Sequence, residues 1–281
     1  MTLQREVLPC DLFDFAYIPA WFEQLFELSK LAAPEPWRYA KFEQDMNNTE
    51  TPILERYINQ VFRLQAVEWN ETELHLADHV MYIRNEFSCF HTGLYTTDYQ
   101  GIYMCFERNK KPDAMKKWFF KGFIPGGSEK LRYVQTLPKR PFFNFRQQML
   151  YYEPDWEIRI NTEHILCDEQ NAKRLPECIR DAWNLPLMLE TAVELARRRA
   201  RVDWSLAVPQ VFQGKVQYLL PLYLTRMDQP DLALALSIMD GYYIGHTALT
   251  LPMAYQNARI LGRPSVDWLA SLVQTNKEKV G

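Results

Sequence analysis

A basic and aromatic stretch is the first part of this sequence whose residue types suggest binding chemistry. Between Arg108 and Arg146 there are 11 Lys or Arg residues and two acids, Asp113 and Glu129. These 39 residues carry a net charge of +9, in a chain whose formal charge is −3. The stretch also holds eight aromatic residues: Trp118, Phe119, Phe120, Phe123, Tyr133, Phe142, Phe143 and Phe145. Because cations contact phosphates and rings stack on bases, the combination is typical of single-stranded nucleic acid binding.

Six side chains of this stretch are the candidate ligand contacts. We expect three cations to bind phosphates and three rings to stack on bases, namely Lys121, Lys139 and Arg140, and Trp118, Phe120 and Phe143. Pro138 and Pro141 flank two of the cations and favour a stiff, extended segment. A solvated charged surface explains the cations equally well, and the phenylalanines would then belong to the core. Both interpretations stay open.

Two histidines are the candidate catalytic residues. His164 follows Arg159-Ile-Asn161, and His246 lies at the end of an apolar segment with Gly245 and Thr247 around it. Two imidazoles near a phosphate can act as general acid and general base. RNA needs no metal for this reaction, because its 2′-hydroxyl is an internal nucleophile. The alternative is that each histidine is an ordinary side chain of the core or the surface.

Three further polar residues are candidates for holding a nucleotide. Arg159 and Asn161 alternate with isoleucines, so both face one side of an expected strand, where an arginine suits phosphate and an asparagine suits a base edge or ribose. Arg259 lies on a helix that follows the Gly245–Thr247 strand end, a common position for a pocket. A structural salt bridge is the alternative role for the arginines.

No metal and no organic cofactor is expected. His75-Leu-Ala-Asp-His79 has the spacing of a helical zinc pair, but the segment is predicted to be a strand, where the two histidines are about 13 Å apart. The chain contains neither a P-loop nor a GxGxxG dinucleotide motif.

The periodicity of apolar residues predicts helices and strands in two series. The predicted helices cover Pro19–Ala33, a segment that begins at Thr51 and Pro52, residues 169–201, Pro252–Leu261 and Ser265–Thr275. The predicted strands or extended segments cover Glu73–Arg84, Ser88–Thr96, Gly101–Glu107, Met149–Ile160, Val216–Thr225, Leu232–Met239 and Gly241–Leu249. This order favours an α+β fold, a single globular unit with a largely antiparallel sheet, N-terminal helices and helices packed on one face. We predict a helical extension over residues 1–33 and one domain over 34–281.

Composition and cysteine usage indicate the class and the compartment. Hydrophobic residues make up 47% of the chain and charged residues 24%, as in soluble globular proteins. The five cysteines are scattered and form no CxxC pair, which favours a reducing compartment over a disulfide framework. The N-terminus does not read as a signal peptide, and the apolar runs are too short to span a bilayer. We therefore expect a cytoplasmic protein without membrane contact, and its oligomeric state is left open.

Eight motifs, in order, resemble a bacterial family known as domain of unknown function 3825. They are Pro36-Trp-Arg-Tyr39, the Thr-Gly-Leu of Phe90–Tyr95, Trp118-Phe-Phe-Lys-Gly-Phe123, Leu137-Pro-Lys-Arg-Pro-Phe-Phe143, Glu157-Ile-Arg-Ile-Asn161 with His164-Ile-Leu166, Val208-Pro-Gln210, Gln217-Tyr-Leu-Leu-Pro-Leu222, and Gly245-His-Thr-Ala-Leu-Thr250 with Ala254–Arg259. Family members are fused to cold-shock and LOTUS-type modules that bind RNA, so the resemblance implies a role near RNA. Residue 91 is His where the resemblance leads us to expect Asn.

Three functions follow from these observations. The leading hypothesis is an RNA-associated protein that holds single-stranded RNA or a nucleotide through its basic-aromatic segment. The alternative is a metal-independent enzyme that acts on RNA or nucleotide phosphates, as a phosphodiesterase or transferase. The second alternative is a protein-interaction module that uses exposed Trp and Phe side chains.

Overall fold

A computed structural model describes residues 7–35, 37–38, 50–111, 115–141 and 151–270. Among these residues the chain divides into two compact units. Unit 1 contains the described residues up to Pro141, and unit 2 contains those from Tyr151 onward. The boundary at residue 33 that the sequence suggests stays a prediction.

Unit 1 combines three helices with a five-stranded sheet. In chain order its elements are α1 (Leu12–Phe15), β1 (Ala16–Tyr17), α2 (Trp21–Leu31), α3 (Pro52–Glu71), a 3-10 helix (Leu74–His79), β2 (Tyr82–Ile83), β3 (Phe87–Tyr95), β4 (Gly101–Arg108), β5 (Trp118–Pro125) and a second 3-10 helix (Glu129–Leu131). The strand order is β1-β5-β4-β3-β2, and all neighbours are antiparallel except β1 and β5.

The long helix α3 forms because its sequence combines a start signal with one apolar face. Pro52 fits the first turn, where the missing N–H has no helical partner. Ile53, Tyr57, Val61 and Phe62 recur at helical spacing, and all are buried. The face that they form is therefore the face that packs into the core.

Both faces of the first sheet are covered. On one face Phe90 and Phe106 pack against Phe15 and Phe62 of the helices, with ring centroids 5.2–6.1 Å apart. On the other face Cys89, Tyr103, Cys105 and Ile124 pack against Leu131 and Val134, which belong to the segment after β5. The part of the basic stretch that contains Leu131 and Val134 thus covers this second face.

Unit 2 contains the second five-stranded sheet. Its elements are β6 (Glu157–Ile160), α4 (Thr162–Cys167), α5 (Glu169–Ala172), α6 (Glu177–Arg180), α7 (Leu185–Val202), a 3-10 helix (Trp204–Leu206), β7 (Val208–Phe212), β8 (Lys215–Leu222), β9 (Leu232–Ile238), β10 (Tyr242–Thr250), α8 (Leu251–Arg259) and α9 (Asp267–Ala270). The strand order is β6-β10-β9-β8-β7, in which β6 runs parallel to β10 and the other neighbours are antiparallel.

Alternation along the strands separates the two faces of the second sheet. Leu234 and Leu236 of β9 share a core with Leu189 and Val193 of α7. On the opposite face, three amide groups and a hydroxyl form a hydrogen-bonded row across β7, β8 and β9 that ends on α8; its members are Asn257, Gln210, Gln217 and Ser237. Helices therefore cover both faces of this sheet, whereas the sequence predicted helices on one face only.

The predicted α+β class with largely antiparallel strands is confirmed, and the strands are divided between two sheets. The segment Glu73–Arg84 differs from the prediction, because half of it is a 3-10 helix and only Tyr82–Ile83 is a strand. Residues 169–201 contain three helices separated by short breaks. The strands β5 and β7 were not predicted; β5 lies within the basic stretch, whose charge concealed its alternation. None of the described helices combines the length and the apolar character that crossing a membrane requires.

Two leucines of α7 test whether burial against the second sheet stabilises the fold. Leu189 is 0% exposed, and Leu187 on the same helix is 60% exposed. We expect Leu189→Ala to lower the free energy of unfolding by about 2–5 kcal/mol, because it leaves a cavity in the core. Leu187→Ala, the matched control, should change it by less than about 0.5 kcal/mol. Urea unfolding of both variants checks this, and equal effects would contradict the packing described.

Candidate functional site

A β-bulge directs Lys121 toward solvent. In the pairing of β4 with β5, Cys105 lies opposite Gly122 and Phe106 lies opposite Phe120, so Lys121 is the extra residue. Gly122 has φ +142°, a conformation that side chains disfavour. The Nζ atom of Lys121 lies 3.1 Å from Oε2 of Glu107, and the lysine side chain is 55% exposed. The predicted phosphate contact is therefore accessible, but it is already in an ion pair.

A row of rings and cations continues from this ion pair along one edge of the sheet. Glu107 is the cross-strand partner of Phe87. The Phe87 ring meets the Tyr133 ring edge-on at 5.1 Å and the Tyr82 ring at 6.3 Å. The guanidinium of Arg84 lies 4.7 Å from the centroid of the Tyr82 ring. We call the set Tyr82, Arg84, Phe87, Lys121 and Tyr133 the cation–aromatic surface.

Tyr133 is the most exposed ring of the cation–aromatic surface, with 59% of its area accessible. Partial burial beside Cys105 and Cys89 raises the pKa of its hydroxyl to about 12, so the group remains a protonated hydrogen-bond donor near neutral pH. The sequence placed Tyr133 in the basic stretch but did not select it for stacking. Its exposure depends on how the segment after β5 lies on the sheet, which no local pattern indicates.

Lys139 and Arg140 are exposed, as a phosphate contact requires. The segment that carries them is fixed to the sheet, because the Lys139 N–H donates to the His79 carbonyl at 2.8 Å and the Tyr103 hydroxyl donates to the Pro138 carbonyl at 3.1 Å. Both cations follow the residues that cover the second face of the first sheet. They therefore belong to the same side of unit 1 as Tyr133.

The structure places two of the three predicted stacking rings in the core. Trp118 is 2% exposed and stacks on Phe15 at 6.0 Å, and Phe120 is 5% exposed and meets Phe106 at 6.1 Å. Both rings point to the helical face of β5, so no base can stack on them while the core is intact. Phe143 lies outside the described residues.

Beneath Arg140 lies a histidine that is held neutral. His91 is 3% exposed, and its Nδ1 accepts the Gly93 N–H at 2.9 Å. Burial and, to a smaller extent, the positive charge of Arg140 together lower the pKa of His91 to about 4. Gly101 packs so closely against this imidazole that a Cβ would approach Nε2 to 2.4 Å. His91 is thus a core residue on the covered face of the sheet.

In unit 2, the predicted residues Arg159 and Asn161 already have intramolecular partners. The Arg159 side chain forms an ion pair with Glu157 at 2.8 Å and stacks over the Tyr242 ring at 4.1 Å. Asn161 caps α4, and its Oδ1 accepts the backbone N–H of His164 at 3.0 Å. Both side chains are exposed, so a ligand can reach them, but it must compete with these contacts.

The two predicted catalytic histidines are exposed and lie on segments that are bonded together. His246 is the extra residue of a bulge in β10, because Gly245 and Thr247 pair with successive residues of β9. The Asn161 N–H donates to the Gly245 carbonyl at 3.3 Å, which joins the end of β6 to this bulge. His164 lies on the first turns of α4 that follow.

A buried asparagine that the sequence did not indicate connects these segments. The Nδ2 of Asn171 donates to the His164 carbonyl at 3.1 Å. Its Oδ1 accepts from Thr247 Oγ1 at 2.7 Å and from Arg174 Nη1 at 2.8 Å. Arg174 Nη1 also donates to the Ala248 carbonyl at 3.0 Å. We call Asn171, Arg174 and Thr247 the Asn171 cluster; its members are dispersed in sequence, so spacing alone did not reveal it.

Arg259, the last predicted phosphate contact, is 7% exposed on α8. A buried guanidinium on the packed face of a helix is not positioned for a ligand arriving from solvent. In the part of the chain that the structure describes, no three His, Cys, Asp or Glu side chains are grouped closely enough to hold a metal ion.

The chain belongs to the family of the domain of unknown function DUF3825, whose model matches residues 28–268. This confirms the family that the eight motifs predicted. The match runs through both units, from the end of α2 to α9. No curated protein and no solved structure shows a significant match to the chain.

The low pKa of His91 predicts a specific loss of stability in acid. Its folded pKa of about 4 lies below the unfolded value of about 6.5, so between these two pH values mainly the unfolded chain takes up the proton. Stability is therefore lost as the pH falls, by about 2 kcal/mol between about pH 7.5 and about pH 5.

The variant His91→Asn, which introduces the residue that the family resemblance suggests, should not show this loss of stability between the two pH values. Urea unfolding at both pH values gives the difference between the two proteins. Parallel pH dependences of the native chain and the variant would mean that His91 does not stay neutral in the fold.

Proposed function

We propose that this protein binds single-stranded RNA in the cytoplasm through the cation–aromatic surface of unit 1. The observation that supports the proposal is the exposed Tyr133 ring, held edge-on by Phe87 in a row with Lys121 at one end and Arg84 at the other. Exposed rings provide a stacking surface for bases, and cations beside them attract the phosphates.

The ion pairs on this surface set the expected strength and salt dependence of binding. Lys121 is paired with Glu107, and Arg84 makes two hydrogen bonds with Asp78. An incoming phosphate must therefore displace a carboxylate, which reduces the net gain of each contact. We therefore expect modest affinity for RNA. Lys139 and Arg140 contribute two further cations, and neither forms an ion pair with a carboxylate among the described residues.

Three further points support RNA over a protein ligand. The basic stretch is locally positive in a chain of net negative charge, as expected for binding a polyanion. The resemblance stated above implies that related chains are fused to RNA-binding modules. A cation also lies at each end of the row of rings, whereas the centre of a protein docking surface usually has few charges.

The first test removes the stacking ring. Tyr133→Ala should weaken binding of a short labelled single-stranded RNA by about tenfold, because stacking contributes about 1–3 kcal/mol per base. Tyr99→Ala is the matched control: Tyr99 is 86% exposed, but it lies at the other end of the β3–β4 hairpin, roughly 25 Å from Phe87. Fluorescence anisotropy at about 50 mM and about 200 mM salt measures both variants.

Two charge variants complete this test. Lys121→Gln should weaken binding and reduce its salt dependence, whereas Glu107→Gln should strengthen binding because it frees Lys121. No binding at low salt, tight binding without salt dependence, or equal effects of Tyr133→Ala and Tyr99→Ala would each overturn the proposal.

The second candidate function is metal-independent cleavage of RNA at the β6–β10 junction of unit 2. The favouring observation is that His164 and His246 are both exposed and lie on segments that Asn171 bonds together. In this reaction one imidazole takes the proton of the 2′-hydroxyl, whose oxygen bonds to phosphorus. The bond from phosphorus to the 5′-oxygen then breaks, and the other imidazole protonates the leaving oxygen.

Incubation of the protein with single-stranded RNA and a chelator tests this candidate. The expected products carry a 2′,3′-cyclic phosphate and a 5′-hydroxyl, and RNA with 2′-deoxy sugars should resist. His164→Gln and His246→Gln should each reduce the rate by about 100-fold or more. RNA that stays intact with the native protein under all conditions would eliminate this candidate without affecting the binding proposal.

A further inference from the structure

Arg174 is a half-buried cation without a carboxylate partner. Among the described residues, no Asp or Glu oxygen lies within salt-bridge distance of its guanidinium. The comparison with Arg197 in the same unit is direct, because that half-buried guanidinium binds Glu194 through Nε at 2.9 Å and Nη2 at 3.3 Å. A cation removed from water normally requires such a partner.

The hydrogen bonds of Arg174 leave part of its donor set available. Nη1 alone makes the contacts, to Asn171 Oδ1, Thr247 Oγ1 and the Ala248 carbonyl at 2.8–3.1 Å. All three acceptors are neutral, so they fix the guanidinium without compensating its charge. Nε and Nη2 make no hydrogen bond to a described residue, and these are the donors that form a two-pronged contact with an oxyanion.

The charge of Asp168 acts on Arg174 from a distance, but it does not offset the cost of burial. Burial lowers the pKa of Arg174, and the field of Asp168 raises it by less; Asp168 itself accepts the Asn171 N–H at 3.0 Å. Arg180 holds the chain on both sides of Arg174 through its Nη2 contacts with the Lys173 and Leu175 carbonyls. No carboxylate pairs with Arg180 within the described ranges.

Two exposed histidines lie on segments that are bonded to the Asn171 cluster, and their side chains suit a phosphate. The bulge of β10 directs His246 into solvent next to Thr247, which is bonded to Arg174. His164 reaches the same cluster through its carbonyl contact with Asn171. Imidazole N–H groups donate to phosphate oxygens. The end of β6 meets β10 at Gly245, directly before the bulge that carries His246.

We propose that Arg174, together with the exposed imidazoles of His246 and His164, forms a binding site for a phosphate group. Asn171 and Thr247 are positioning residues that hold the guanidinium in place. The phosphate can come from a nucleotide or from an RNA backbone, and the site is defined by the chemistry that these two sources share. This inference does not depend on the cation–aromatic surface, which lies in the other unit, and it requires no cleavage reaction.

Titration calorimetry with the full chain tests the site against three probes: inorganic phosphate, adenosine monophosphate and a short single-stranded RNA with a 5′-hydroxyl. The variant Arg174→Gln removes the charge and keeps an amide that can donate to Asn171 or Ala248. Lys173→Gln is the matched control. Lys173 is the neighbour of Arg174 and carries the same charge, but its side chain is exposed and forms an ion pair with Glu169. We expect a dissociation constant for the monophosphate of about 1 mM or tighter, weakened at least about tenfold by Arg174→Gln and unchanged by Lys173→Gln.

The probes also identify the source of the phosphate. Arg174-dependent binding of the monophosphate indicates a nucleotide site, and Arg174-dependent binding of RNA alone indicates a backbone site; either result supports the proposal. If Arg174→Gln changes the unfolding curve, perturbation of the His164 and His246 imidazole signals by phosphate in the native protein provides the evidence. Binding of no probe, or equal weakening by Arg174→Gln and Lys173→Gln, overturns the proposal. Equal weakening by the two variants has no bearing on Tyr133-dependent RNA binding, whereas a lack of RNA binding at low salt would also contradict that proposal.

Discussion

Coverage of both faces of each sheet is the constraint on which every candidate site depends. In unit 1, helices cover one face and the segment after β5 covers the other. A ring that points to the helical face of a central strand is then buried, whatever its neighbours in sequence. Trp118 and Phe120 are buried for this reason although they adjoin lysines, and Tyr133 is exposed because it belongs to the cover. Binding chemistry is consequently restricted to edges, covers and irregularities of the sheets.

Bulges carry two of the residues that the sequence selected. A regular strand directs alternate residues to opposite faces, and both faces are covered here, so a polar side chain has few places to go. One extra residue interrupts the alternation and turns a side chain outward. Lys121 in β5 and His246 in β10 both reach solvent in this way. A bulge thus exposes a candidate phosphate-binding lysine in unit 1 and a candidate acid–base histidine in unit 2.

Ion pairs determine which of the candidate cations is available to bind an anion. Lys121 and Arg159, which the sequence selected, are held by Glu107 and Glu157. Arg174, which the sequence did not select, is fixed by neutral acceptors and keeps its charge uncompensated by contact. A guanidinium held in position by neutral groups loses little freedom when an anion binds, which is the condition for a preorganised site.

The sequence by itself determined the elements with strong local signals. Helix α3 follows from Pro52 and the recurring apolar residues, and β8, β9 and β10 follow from their apolar runs, because these signals lie within a few residues of each other. It also determined the family, through the order of eight motifs. The 3-10 helix at Leu74–His79 was not predicted, since its apolar pattern also fits a strand. Only tertiary structure decided that Asn171, Arg174 and Thr247 meet, and which rings of the basic stretch face solvent. Hydrogen bonds between residues more than seventy positions apart, such as that between Thr247 and Asn171, depend on strand pairing and helix packing, and these leave no periodic trace in the chain.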